Sequence, residues 1–196
     1  MKAALFALAT LSVIVGCGPS MPGPSDPLHG VTPDGKPRWV TRGSGAFDSA
    51  NGKAFFGVGI VAGIRNPALS RQTADNRARG EIAKMFDVYI AAMMKDYQRS
   101  TTAGDFKASA EEQDVVSAQK TITEVTLRGV EMRDHWTDPA DGSLYALAVL
   151  DLNAMMKTLD DAHNLNDKVR TFVRANARKA FNDLDAELRK RRESGR

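Results

Sequence analysis

The stretch RGVEMRDHWTDPADGSLYALAVLDL, residues 128–152, places the tightest limit on the fold, because it divides at Asp138-Pro139-Ala140-Asp141-Gly142 into two runs of period two. Val130, Met132 and Asp134 alternate with Glu131, Arg133 and His135 before the turn. Leu144, Ala146 and Ala148 alternate with Tyr145, Leu147 and Val149 after it. Turn residues between two such runs predict a β-hairpin, so antiparallel pairing is expected in this part of the chain.

The other elements are read against that hairpin. KAFFGVGIVAG, residues 53–63, is aromatic at Phe55 and Phe56 and β-branched at Val58, Ile60 and Val61, which predicts a strand. Asn66 and Pro67 supply a cap and a first turn for a helix over ALSRQTADNRARGEIAKMF, with Ala74, Ala78, Ile82 and Met85 on one face. The following stretch, residues 87–101, fits two patterns. Ile82, Phe86, Tyr89, Ile90, Met93 and Tyr97 continue a helical stripe, whereas Val88, Ile90, Ala92 and Met94 satisfy a period of two. Ser109 precedes Glu112 in capping-box order, and Val115, Ala118, Ile122 and Val125 give a second helix its apolar side. Past Leu152 the pattern is helical again. Val169, Phe172, Val173, Ala177, Ala180, Phe181, Leu184 and Leu188 form a long stripe that either packs on the sheet or pairs with a partner helix.

The N-terminus has a different character. Lys2 is the only charge before Cys17, and Ala3 to Val15 is apolar apart from Thr10 and Ser12. This is a basic n-region followed by an h-region, too short to span a bilayer. Ile14, Val15 and Gly16 lead directly into Cys17, an arrangement that resembles the lipobox of bacterial lipoproteins. That resemblance implies cleavage between Gly16 and Cys17, a diacylglycerol on the sulfur and an acyl group on the new amine. A single cysteine cannot form an internal disulfide, which agrees with such a role. Each buried methylene contributes roughly 0.8 kcal/mol, and a second chain makes anchoring stable. Residues 18–38 hold six of the eight prolines and read as an extended tether. At about 3.1 Å per residue it would reach up to roughly 60 Å from the lipid. Gly18, where a retention aspartate would otherwise stand, favours the outer membrane by analogy with enterobacterial sorting.

The expected organisation is therefore a signal peptide over 1–16, a lipidated tether over 17–38, a domain over 39–152 and a helical extension over 153–196. A chain of 196 residues, 42% hydrophobic and 26% charged, needs no second large domain. The ordered set PRW, FFGVGIV, ARGEIAKMF, a central amphipathic helix and the hairpin resembles the LPP-twenty family of bacterial envelope lipoproteins, from about Trp39 to Leu152. The resemblance implies an α+β fold, a small antiparallel sheet packed against helices, with the amphipathic C-terminal helix following. It also implies that DVYIAAMMKDYQRS, residues 87–100, is a long strand. It carries over no catalytic residue, and the basic C-terminal helix is less typical of the family.

Motifs that suggest chemistry have plainer explanations. Gly57, Gly59 and Ala62 match G-x-G-x-x-A, but nucleotide binding needs a parallel βαβ unit, and glycines for close helix-to-strand packing fit better. Asp138, Asp141 and Gly142 lack the alternating ligands and closing glutamate of a calcium loop. His29, His135 and His163 have no metal-ligand spacing, and Ser44 lies outside a nucleophile elbow. No metal and no cofactor is expected beyond the covalent lipid on Cys17.

Charge is concentrated at the end of the chain. Residues 169–196 carry 9 Lys/Arg against 4 Asp/Glu, whereas residues 17–168 carry 17 against 20. Arg189, Lys190, Arg191 and Arg192 suit contact with an anionic surface. They suit equally a soluble helix end complementing its macrodipole, the preferred reading. Nucleic acid and small-molecule ligands are not expected. The expected function is a non-catalytic, lipid-anchored envelope protein that binds other envelope proteins or itself. An accessory of a flagellar or other envelope assembly, and a periplasmic enzyme or ligand carrier, are the alternatives.

Overall fold

A computed structural model describes residues 30–49, 52–101, 108–160, 162 and 165–194. Its sheet has four antiparallel strands in the order β1-β2-β4-β3: β1 Gly45–Ser49, β2 Gly52–Val61, β3 Glu131–Thr137 and β4 Leu144–Asp151. The helices are α1 Arg38–Arg42, α2 Pro67–Thr101, α3 Ala108–Leu127, α4 Leu152–Asp160 and α5 Asp167–Ser194. This is the expected α+β architecture, with the expected hairpin as β3-β4. The signal peptide, Gly16, Cys17, His29 and His163 lie outside the described residues.

Strand β4 is buried on both faces because apolar cover lies on each side of it. Ala146, Ala148 and Leu150 face a large core shared with α2, α4 and α5. Leu147 and Val149 face a smaller one built from Trp39, Phe47, Ala54 and Phe56. The two cores are the two sides of the same sheet.

Helix α2 starts as the sequence predicts, with the Asn66 Oδ1 accepting from the Ala68 and Leu69 amides at 3.0 and 3.2 Å. It does not end at Phe86. The expected strand at 87–100 is instead the second half of this 35-residue helix. Burial explains why the helical stripe prevails over the period-two one. Phe86, Tyr89, Ile90, Met93 and Met94 are buried, whereas Val88 is 61% exposed and Ala92 is exposed as well, so the alternating set is split between core and solvent. A strand there would also find β2 already paired on both sides.

Close approach of α2 to β2 depends on two glycines. A Cβ at Gly57 would collide with the Ala78 carbonyl, and one at Gly59 with the Ala74 carbonyl. The G-x-G-x-x-A match is therefore a packing surface for helix on strand.

The expected alternation along β3 is broken by a bulge between Met132 and Asp134. One extra residue reverses the facing of everything after it. Met132 packs with the α2 core, but Asp134 lies opposite Leu147 and accepts the Trp39 Nε1–H at 2.9 Å on the other side. His135 then points to α2.

The C-terminal helix packs on its own domain. Val169, Val173, Ala177 and Phe181 are buried in the large core, with Ala180, Leu184 and Leu188 at its margin. Phe181 meets Phe55 at 5.1 Å between ring centroids, and Phe55 also meets Phe86 and Tyr89 at 5.8 and 5.2 Å. The Tyr89 hydroxyl donates to the Ala177 carbonyl at 2.8 Å, and burial pushes its phenol above the usual range. Of the expected stripe of α3, Ala118 and Ile122 are buried, while the side chains of Ser109, Glu112, Val115 and Val125 lie outside the described residues.

The folded part extends ahead of Trp39. Residues 31–37 form a turn in which Val31 bridges Pro37, and the Lys36 ammonium reaches Asp138 at 2.9 Å. Part of the stretch read as tether is thus folded onto the hairpin.

Candidate functional site

Three surfaces gather polar or exposed apolar groups. The first is a groove of about 240 Å³ between α2 and α5. Val88, Ala92 and Leu184 contribute apolar lining, and Asp96, Asp183 and Glu187 stand with Lys179 around it. Residues 88–96 of α2 and 176–187 of α5 wall it, beside the hydrogen bond of Tyr89 to Ala177. The sequence marked the apolar stripes but not the gap between them.

The second lies where the first turns of α2 meet β3. The His135 Nε2 is 2.5 Å from the Asp75 Oδ1, and the Arg71 guanidinium is 3.4 Å from its Nδ1. An arginine always donates, so the ring edge at Nδ1 faces a donor and the edge at Nε2 faces a carboxylate acceptor. Arg79 donates to the Val130 carbonyl at 3.0 Å, and Arg77 to that of Ile60. The four on α2, Arg71, Asp75, Arg77 and Arg79, fasten that helix to β2 and to β3 with the residue before it. Among the described residues, no three His, Cys, Asp or Glu are grouped to hold a metal.

The third is the basic end of α5. Arg189 pairs with Asp185 at 2.6 Å and Arg191 with Glu187 at 3.1 Å, each one turn back along the same helix. Lys190 is exposed. Arg192 turns to the small core and sits 4.8 Å from the centroid of Phe47. The four cations that the sequence groups are thus separated by the structure, and Arg42, which the sequence did not single out, joins Arg192 at 3.9 Å from the same ring. Ser44 is structural, accepting the Val58 amide at 2.9 Å.

The acidic turn is likewise built for folding. Asp138 accepts from Lys36 and from the Ala140 amide, both at 2.9 Å, and Asp141 accepts from the Ser143 amide at 2.8 Å. Lys36 and the Ala140 amide hold the Asp138 carboxyl below its ordinary value, and Asp138 in turn holds the Lys36 ammonium above its own.

Together these features define a class: a small α+β domain with a four-stranded antiparallel sheet between a helical layer and an aromatic one. Among the described residues no helix is long and apolar enough to cross a membrane. The chain belongs to the LPP20 lipoprotein family, whose model matches residues 37–151. That makes it an envelope lipoprotein. The match spans α1 to β4, and α4 and α5 follow it. No curated protein matches the sequence.

Proposed function

We propose that this protein is a non-catalytic interaction module of the bacterial envelope, anchored in the outer membrane through acyl chains on Cys17. The observation that carries the reading is membership in a lipoprotein family across the whole sheet domain. Supporting it, Ile14-Val15-Gly16-Cys17 closes an apolar segment in lipobox order, and the sequence that follows Cys17 is rich in proline and glycine. The lipid keeps the domain at the membrane, so that partners meet it at raised effective concentration. Envelope proteins, or further copies of the chain, are the partners of this reading.

Intact-mass measurement of the wild-type protein and of Cys17→Ser tests the anchor. The wild type should carry the acyl mass on a chain beginning at Cys17, and the variant should remain an unlipidated precursor. Equal acyl mass on both would overturn the assignment. Affinity purification from detergent-solubilised envelopes tests the interaction. Recovery of defined envelope proteins supports it, recovery of large assemblies of the same chain sharpens it to a structural accessory, and a chain purified alone at every detergent and salt condition refutes it.

A further inference from the structure

The small core ends in a charge arrangement that folding alone does not balance. Phe47 folds back over Gly45, where a Cβ would strike its ring, and the ring is thereby offered to α1 and to the last turn of α5. Two guanidinium groups use it: Arg42 with its Cζ 3.9 Å from the centroid, and Arg192 with its Cζ at 4.8 Å. Among the described residues, the charges that act on Arg42 include Arg192, Asp185, Asp48 and Arg189. Both carboxylates are engaged elsewhere, Asp185 with Arg189 at 2.6 Å and Asp48 with Lys53 at 2.9 Å. Arg192 donates through Nε to the Leu188 carbonyl at 3.2 Å. Among the described residues neither Arg42 nor Arg192 meets a carboxylate in an ion pair, although 150 positions separate them in the chain.

Two like charges brought to one aromatic ring repel each other, and the face of the ring compensates only part of that. An oxyanion beside both would turn the repulsion into attraction. Guanidinium groups present planar forks of N–H donors that match the oxygens of phosphate, and a doubly charged anion suits two of them. Arg189 and Arg191 are already held by carboxylates of their own helix, so the anion preference of this end belongs to Arg192 rather than to the run of four.

We propose that Arg42 and Arg192, both held against Phe47, form a binding site for a phosphate group, either free or on a lipid headgroup. The site joins the first helix of the sheet domain to the last turn of α5, so occupation would also fasten the C-terminal helix in place. It does not require the anchor on Cys17, and its test can fail while the anchor stands.

The full chain in neutral-detergent micelles is titrated calorimetrically with inorganic phosphate at constant ionic strength, chloride serving as the exchange anion. In a second arm the protein in the same micelles is titrated instead with micelles of that detergent doped with phosphatidylglycerol. Wild-type protein should bind phosphate in preference to chloride in at least one arm; saturation in the first identifies the free anion as sufficient, and in the second alone the headgroup. Arg42→Gln and Arg192→Gln should each weaken that binding by roughly tenfold or more. Lys190→Gln with Arg191→Gln, a larger loss of charge, should weaken it far less. Arg42→Lys, which retains charge without the fork, should keep the melting temperature and lose the preference for phosphate. Equal losses for the two pairs would mean diffuse charge and overturn the proposal, as would the absence of phosphate-specific binding in both arms.

Discussion

The two faces of the sheet are covered by opposite means. On one, β2 presents Gly57 and Gly59, and the backbone of α2 comes so close that no side chain fits between them. On the other, the same strand presents Phe56 and Val58, and the cover is the short segment around α1, with Trp39 as its largest anchor. The helical face gains its stability from extended close packing over α2 and α5. The aromatic face relies on a few rings and the polar contacts that fix them: Trp39 on Asp134, Arg42 and Arg192 on Phe47, Lys36 at 5.9 Å over Trp136. The first face therefore tolerates neither added nor removed volume. The second is more sensitive to pairing and to solvent.

The largest expected effect breaks the helical face at its centre. Phe181→Ala removes the ring that joins α5 to Phe55 and leaves a cavity, which should cost about 3–5 kcal/mol in chemical denaturation. If the loss were under about 1 kcal/mol, α5 would be an appendage and not part of the core. Next comes the contrast between neighbours on β2. Gly57→Val forces α2 outward and should cost about 1–3 kcal/mol or more by overpacking. Val58→Thr, one residue on and half-buried on the other face, should cost clearly less. Equal costs would erase the distinction between the faces.

A smaller effect concerns the anchor of the aromatic face. Trp39→Phe keeps an aromatic ring but removes the donor to Asp134, worth about 0.5–1.5 kcal/mol, or up to about 3 when the acceptor is charged. Combining it with Asp134→Ala should give less than the sum of the single effects, because each substitution removes the same bond. Additive losses would show that the bond contributes nothing.

How much of this could be read from residues alone depended on whether local pattern or tertiary cover decided the outcome. The hairpin was legible because its turn chemistry and both alternating runs agree. Pro67 and Asn66 likewise announced the start of α2. Its second half was not legible, since Ile90 and Met94 belong to both the helical and the alternating pattern, and only exposure of Val88 and Ala92 separates the two. The bulge at β3 escaped for a related reason: a single inserted residue leaves no mark on composition yet moves Asp134 to the opposite face. Strand β1 is five residues long and starts with a glycine, too little for a periodic signal. The cationic end of α5 was visible as a run, but its partner Arg42 was not, because contact between residues so far apart is a property of the fold.

The finest test of the comparison uses pH on the pair that ties the turn at 31–37 to the hairpin. Asp138 is held below its ordinary value of 3.8, and Lys36 above its ordinary 10.5. For the carboxyl, the folded state favours the ionised form, so its contribution is fully present above the unfolded value and disappears as pH falls through the lower folded one. For the ammonium the sign is reversed: the contribution is present below the unfolded value and disappears as pH rises through the higher folded one. Both contributions are therefore present near neutrality, one fading in acid below about pH 4 and the other in alkali above about pH 10. Asp138→Asn should lower the melting temperature slightly at pH 7 and make progressively less difference toward pH 3, with added salt shrinking the effect at pH 7. Phe181→Ala, whose cost is apolar, should show no such convergence with its parent. A gap for Asp138→Asn that stayed constant from pH 7 to pH 3 would mean that the residue acts through its turn hydrogen bonds alone, and that the ion pair adds nothing to holding the aromatic face.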